Sequence, residues 1–256
     1  MESRRDWKVR ADQELREIVG QLRNVMEAHK EMGLDPPPLP KKSPKYNMGS
    51  VTSKSLDQEP LGSANSLNDL RDHIGDCTRC KLHRGRTHLV FGEGSPSARL
   101  VFVGEGPGQE EDMVGRPFVG EAGKLLTRII ESGMKLKRND VYICNVVKCH
   151  PPGNRDPEPD EIEMCLPLLR QQLELIKPEV ICTLGRVAGR VLLGETFKVT
   201  RDRGKWYSYL GLPVMPTYHP AYILRNPARE RDLKGQVWED IQLIMKHLGL
   251  EVRHNA

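Results

Sequence analysis

The stretch RLVFVGEGPGQEED (residues 99–112) decides how the fold is read. Residues 100–103 form an apolar run too short for a helix, and the chain breaks sharply at Gly104. Such a run, closed by glycine, reads as a strand buried on both faces. Three further runs of this kind follow: VYICN at 141–145, EVICTL at 179–184 and PVMPT at 213–217. Helical patterns lie between and after them, over 120–133, 160–176, 186–193 and 229–248. Strands alternating with helices predict an α/β fold, a three-layer α/β/α arrangement around a central four-stranded parallel sheet. Parallel sheets place their sites outside the carboxyl ends of the strands. Here that rule marks residues 104–112, 145–150 and 218–225.

The glycine-rich turn is not a phosphate cradle. Gly104, Gly106 and Gly108 give GxGxG rather than GxGxxG, and no Lys-Ser or Lys-Thr pair follows. Glu110, Glu111 and Asp112 would repel a pyrophosphate. A tight glycine turn beside carboxylates suits a neutral ligand approached by backbone, or a reaction that positions water.

Outward from this core, the N-terminal part has a different character. Leu15, Ile18, Val19, Leu22, Val25 and Met26 recur at helical spacing, predicting an amphipathic helix within residues 1–34. Residues 35–64 turn to Pro, Lys, Ser and Gly and read as a flexible linker. The third segment, 65–256, carries all four strand patterns. No apolar run reaches the roughly 18 residues of a membrane span, and the start of the chain lacks the apolar stretch of a secretory signal. The expectation is a cytoplasmic protein with no membrane contact. A net charge of +4 is compatible with a phosphate-backbone partner without demanding one.

Cysteine placement narrows the chemistry. Cys144 and Cys182 sit inside apolar strand patterns and read as core thiols. Cys77, Cys80, Cys149 and Cys165 stand beside polar or turn-forming residues, and the first two form a CxxC. In a reducing compartment such a set points to a metal site rather than disulfides, and both tetrahedral zinc and a [4Fe–4S] cluster accept four thiolates. The scattered third and fourth ligands lean toward the cluster.

Four strings in fixed order now carry a resemblance: GEGPGQEED, GRPFVGEAGKLL, NVVKCHPPGNRDP and HPAYILRNP. From about residue 67 through the last helix, the sequence resembles the family 4 uracil-DNA glycosylases, which carry an iron–sulfur cluster. The resemblance implies hydrolysis of the bond between uracil and deoxyribose in DNA, leaving an abasic site. It also implies that Cys77, Cys80, Cys149 and Cys165 hold a [4Fe–4S] cluster. A flipped uracil needs a stacking face, an edge reader and a donor for the leaving group. Phe118 in the GRPFVG loop is the stacking candidate. Asn145, whose carboxamide offers both a donor and an acceptor, would read uracil O4 and N3–H. His219 would hydrogen-bond O2 as negative charge gathers there.

Gly104 and Gly106 would line the base, and Glu111 would shape the cavity near C5. For the water activator the candidates are Glu105, Glu111 and Asp112, with Glu105 favoured. Tyr222 and Leu224 would fill the gap left by the flipped base, with Ile223 adding bulk between them. Arg225 and Arg155, together with Lys148 and His150, would meet phosphates. The partner is thus uracil-containing DNA met by a monomer, while nothing indicates what the N-terminal helix docks on. Two competing readings remain: an iron–sulfur DNA-binding module without turnover, and a relative that traps the abasic sugar covalently. GRPFVGEAGKLL runs straight into a helix with no inserted basic loop, which argues for turnover.

Overall fold

The computed structural model describes residues 64–252. The expected helix over 1–34, and all but the last residue of the expected linker, lie outside the described residues. The described chain opens with helix α1 (Leu67–Ile74), whose first turn is capped by Ser66 Oγ accepting from the Asp69 amide at 3.1 Å.

The strands are β1 (Glu93–Gly94), β2 (Leu100–Gly104), β3 (Tyr142–Asn145), β4 (Val180–Leu184), β5 (Tyr207–Tyr209) and β6 (Leu212–Thr217), in the sheet order β1-β3-β2-β4-β6-β5. The four inner strands are parallel, as the apolar runs predict. The sheet is nevertheless six-stranded, not four-stranded: β1 and β5 pair antiparallel at its two edges. Neither edge strand has a readable hydrophobic pattern, because one is two residues long and the other is Tyr-Ser-Tyr. β5 exists because Leu210 and Gly211 both take positive φ (52° and 78°), giving the two-residue hairpin turn whose twist matches the sheet.

Helices α2 (Gln109–Val114), α3 (Glu121–Arg128), α4 (Pro159–Ile176), α5 (Gly185–Leu193), α6 (Val199–Asp202), α7 (Pro220–Leu224) and α8 (Glu230–His247) complete the fold. Alternate strand residues feed two cores. Val101, Val103, Ile181 and Val214 pack with Leu168, Leu169 and Leu173 of α4 and Ala188 of α5. Leu100, Phe102, Ile143 and Met215 pack with Leu125 and Leu126 of α3 and Ile241 and Ile244 of α8. Both sheet faces are therefore covered, the expected three layers. From β2 the chain passes to β3 on one side, and β4 then pairs with β2 on the other. Such a switch in direction opens a crevice at the carboxyl ends of the strands.

Candidate functional site

A cavity of about 540 Å³ lies at that crevice. Its wall includes Glu105, Gly106, Glu111, Phe118, Asn145, Arg155, His219, Tyr222 and Arg225. The fold thus brings together most of the residues expected from the sequence. Gly104 lies directly beneath them. A Cβ there would stand 2.4 Å from Asn145 Oδ1 and 2.6 Å from Phe118 Cζ, so only glycine leaves room for both side chains. Leu224 stands outside the wall, on the exposed end of α7.

Phe118 is buried and holds φ at 52°, a left-handed conformation that costs a phenylalanine about 1–3 kcal/mol. Two devices hold it there. Gly123 on α3 lets the helix press against the Phe118 carbonyl, where a Cβ would come within 1.9 Å of the oxygen. Glu111 accepts from the Val119 and Gly120 amides at 2.8 and 2.9 Å through Oε1, and from Gly108 at 3.1 Å through Oε2. The Glu111 carboxylate therefore ties the glycine turn to the Phe118 loop.

Asn145 ends β3 and is 1% exposed, and its Oδ1 finds no partner among the described residues. An unsatisfied buried carbonyl costs on the order of 1–3 kcal/mol. Of the four unpartnered buried side-chain atoms among the described residues, this is the one whose residue lines the cavity, where a ligand donor can reach it. Across from it, the His219 ring stands 5.5 Å from the Phe118 ring, centroid to centroid, tilted by 30°. His219 Nδ1 accepts the Ala221 amide at 3.1 Å, which places the proton of the neutral imidazole on Nε2. Burial, reinforced by the nearby Arg225 charge, pushes the His219 pKa down to about 4, with Glu111 partly opposing. The ring is a neutral N–H donor across the physiological range.

Glu105 follows the opposite course. Desolvation pushes its pKa up to about 7, helped by Asp156 and opposed by Arg186 and Arg225. Asp112, the other acidic candidate, is buried outside the cavity wall. Its carboxylate accepts the Thr87 amide at 2.8 Å and the His88 amide at 3.3 Å.

The expected phosphate contacts divide. Arg225 is exposed at the rim. Arg155 is committed inward: it grips the fully buried Glu161 through two bonds of 2.6 and 2.8 Å. Lys148 corrects the expectation outright. It is 1% exposed and points into the core, so it cannot reach DNA. Tyr218 stacks on Tyr222 with ring centroids 5.2 Å apart, widening the aromatic rim.

Sequence reasoning missed Asp156, Arg186 and Thr200 on this wall, whereas Tyr218 lies in the 218–225 segment that the strand-end rule marks. Arg186 follows the end of β4, the one parallel strand to which the carboxyl-end rule was not applied. It pairs with Asp156 across the cavity mouth.

The four outer cysteines gather on the far side of β3. Cys149 and Cys165 are buried, with Cys77 and Cys80 packed against the same core. Burial pushes the Cys165 thiol up to about 12, with repulsion from Cys149 and Cys80 adding to the rise. Arg86 binds the Cys77 carbonyl at 2.7 Å and the Cys149 sulfur at 3.1 Å. Among the described residues no three His, Cys, Asp or Glu side chains stand in closed metal-holding geometry. The donor chemistry is nonetheless that of a thiolate-bound group: four cysteines on one core, with the Arg86 guanidinium beside Cys77 and Cys149.

A family model, the uracil DNA glycosylase superfamily, matches residues 91–242. The chain belongs to that superfamily. The match begins before β1 and ends within α8, so it spans the cavity and the whole sheet. Within this superfamily the chain is similar to the type-4 uracil-DNA glycosylase of Thermotoga maritima, 50% identical over 174 residues (67% of this chain, 88% of the relative). The type-4 enzyme of Sulfurisphaera tokodaii is 49% identical over 63% of this chain and 77% of its own. That of Saccharolobus solfataricus is 46% identical over 72% and 87%.

Proposed function

We propose that this uracil-DNA glycosylase superfamily member excises uracil from DNA by hydrolysis and leaves an abasic site. The observation that carries this reading is the unpartnered Asn145 Oδ1, set in a cavity between a stacking ring and a neutral imidazole donor. Uracil offers N3–H to that oxygen and O4 to the carboxamide nitrogen, while cytosine presents the reverse pattern. The base stacks on Phe118. As the glycosidic bond breaks, charge builds on O2, and His219 Nε2–H donates to it without transferring its proton. Glu105 in its carboxylate form orients the attacking water or stabilises the electron-poor sugar. Glu111 holds the walls in register.

Arg225 meets phosphate, with Tyr222 and Leu224 occupying the gap in the stack, and Arg155 braces the wall behind them. Cys77, Cys80, Cys149 and Cys165 would hold a [4Fe–4S] cluster. Such a group would fasten the loop between Cys149 and α4 to the segment following α1. The catalytic unit is residues 65–256, acting as a cytosolic monomer.

The test is an oligonucleotide carrying one uracil, treated with protein and then alkali. Wild type is expected to give alkali-dependent cleavage at uracil and at neither thymine nor cytosine, and Asn145→Asp and His219→Ala to lose it. No cleavage by wild type, or a stable protein–DNA crosslink in place of turnover, overturns the reading.

A further inference from the structure

Lys148 is among the largest fully buried side chains of the described residues, an expensive place for an ammonium group. It enters no ion pair among the described residues. Its Nζ donates instead to two neutral oxygens, the Asn145 backbone carbonyl at 2.8 Å and Gln172 Oε1 at 2.6 Å. Gln172 is itself fully buried and anchored, its Nε2 donating to the Phe91 carbonyl at 2.9 Å and to Tyr142 Oη at 3.1 Å. The Lys148 backbone is held as well: its carbonyl accepts from the Val90 amide at 2.8 Å.

The residue that immediately precedes Cys149 therefore grips the peptide of the base reader with its side chain. A core position that needed only bulk would be filled at lower cost by Leu or Met, which bury no charge. The charge has a use at this spot. A charge-assisted hydrogen bond is about twice as strong as a neutral one and fixes the direction of its acceptor. Here the acceptor is the Asn145 peptide, immediately after the side chain that faces the cavity. The other anchor of that peptide is its own N–H: the Val146 amide donates to the Gly104 carbonyl at 2.9 Å, and Val147 donates to the Glu105 carbonyl at 3.1 Å one residue on. Lys148 holds the carbonyl side of the same peptide.

We propose that Lys148 is a positioning residue for base recognition, clamping the Asn145 peptide between the sheet and the four-cysteine site. The proposal rests on the reading of Asn145 as the uracil contact. Its loss changes what the cavity recognises and leaves the grip on the DNA backbone intact.

The test measures equilibrium affinity for two duplexes, one carrying a non-hydrolysable 2′-fluorinated deoxyuridine and one carrying a stable abasic analogue. The ratio of the two affinities isolates base recognition from backbone binding. Wild type is expected to prefer the uracil duplex, and absence of that preference counts against the proposed function itself. Lys148→Met matches the length and removes the charge. It is expected to keep its iron content, to hold the abasic duplex within about twofold of wild type, and to lose about tenfold of the uracil preference. Single-turnover excision should fall by a similar factor. If Lys148→Met fails to fold, Gln172→Leu, which removes the second anchor of the ammonium, should lower the preference in the same direction. A variant of either kind that folds, keeps its iron and retains the wild-type preference overturns the proposal.

Discussion

Asn145 and Thr217 close two parallel strands of one sheet, β3 and β6, and each is 1% exposed. Their polar atoms meet opposite ends. Thr217 donates its hydroxyl to Asp240 at 2.6 Å, and Asp240 is gripped in turn by Arg203 at 2.7 and 2.9 Å. The Asn145 oxygen is left without a partner. Buried polar groups in folded proteins are nearly always satisfied, so the first arrangement is what stability produces and the second is what binding requires. The same division separates Glu111, whose carboxylate is consumed by three amides, from Glu105, whose carboxylate faces the cavity.

The comparison is sharpened most by Asn145→Ala. Removing a recognition group from a desolvated site should cost roughly a thousandfold or more in single-turnover excision. Its melting temperature should hold or rise, because no protein hydrogen bond is lost at Oδ1. A clear fall in melting temperature would show that the oxygen serves the fold after all. Asp240→Ala should behave as the mirror image. It takes away the acceptor of the buried Thr217 hydroxyl and leaves Arg203 with the Gln236 carbonyl and Glu239. The loss should cost about 3 kcal/mol in chemical denaturation, while excision by the folded fraction stays near wild type. Next in size is His219→Ala, expected to lower excision about a hundredfold, the usual weight of one donor to a developing anion.

The smallest effect concerns pH. With the Glu105 pKa pushed up to about 7, its carboxylate form, and excision with it, should rise about tenfold between roughly pH 6 and pH 8. Glu105→Gln should flatten that rise. His219, already neutral, should add no limb near its ordinary 6.5. For stability the sign at Glu105 is the reverse. Between 4.5 and about 7 the folded protein keeps a proton that the unfolded chain has released, so this group weakens folding as pH rises.

The parts of the fold legible in sequence were those set by burial. Four apolar runs gave the inner strands, and every long helix stood where its periodicity ended. The edge strands depended on pairing with a neighbour already in place, and Glu93–Gly94 has no intrinsic signal of its own. In the cavity, Phe118, Asn145 and His219 were visible because they follow strands or glycines in distinctive strings. Lys148 read as a surface cation because charge is usually solvated, and nothing local announces that Arg155 grips a buried partner, Glu161. Lys148 did carry a hint, lying in VVKC between two apolar neighbours. Arg186 and Asp156 became cavity residues only when the end of β4 met the loop before α4.

Segments near positions 105, 118, 145, 156, 186, 219 and 225 all meet at one cavity. None of these loops encloses a base alone, and the parallel strands that carry them pair only across long stretches of chain. Recognition of a base thus becomes available only after the last parallel strand has docked. A partly synthesised or partly unfolded molecule has no means of engaging a lesion and abandoning it half processed. By mass action, any small ligand that occupies the finished cavity draws the population toward the completed sheet. Free base, the expected waste of the reaction, would then serve as a chaperone for the catalyst that released it.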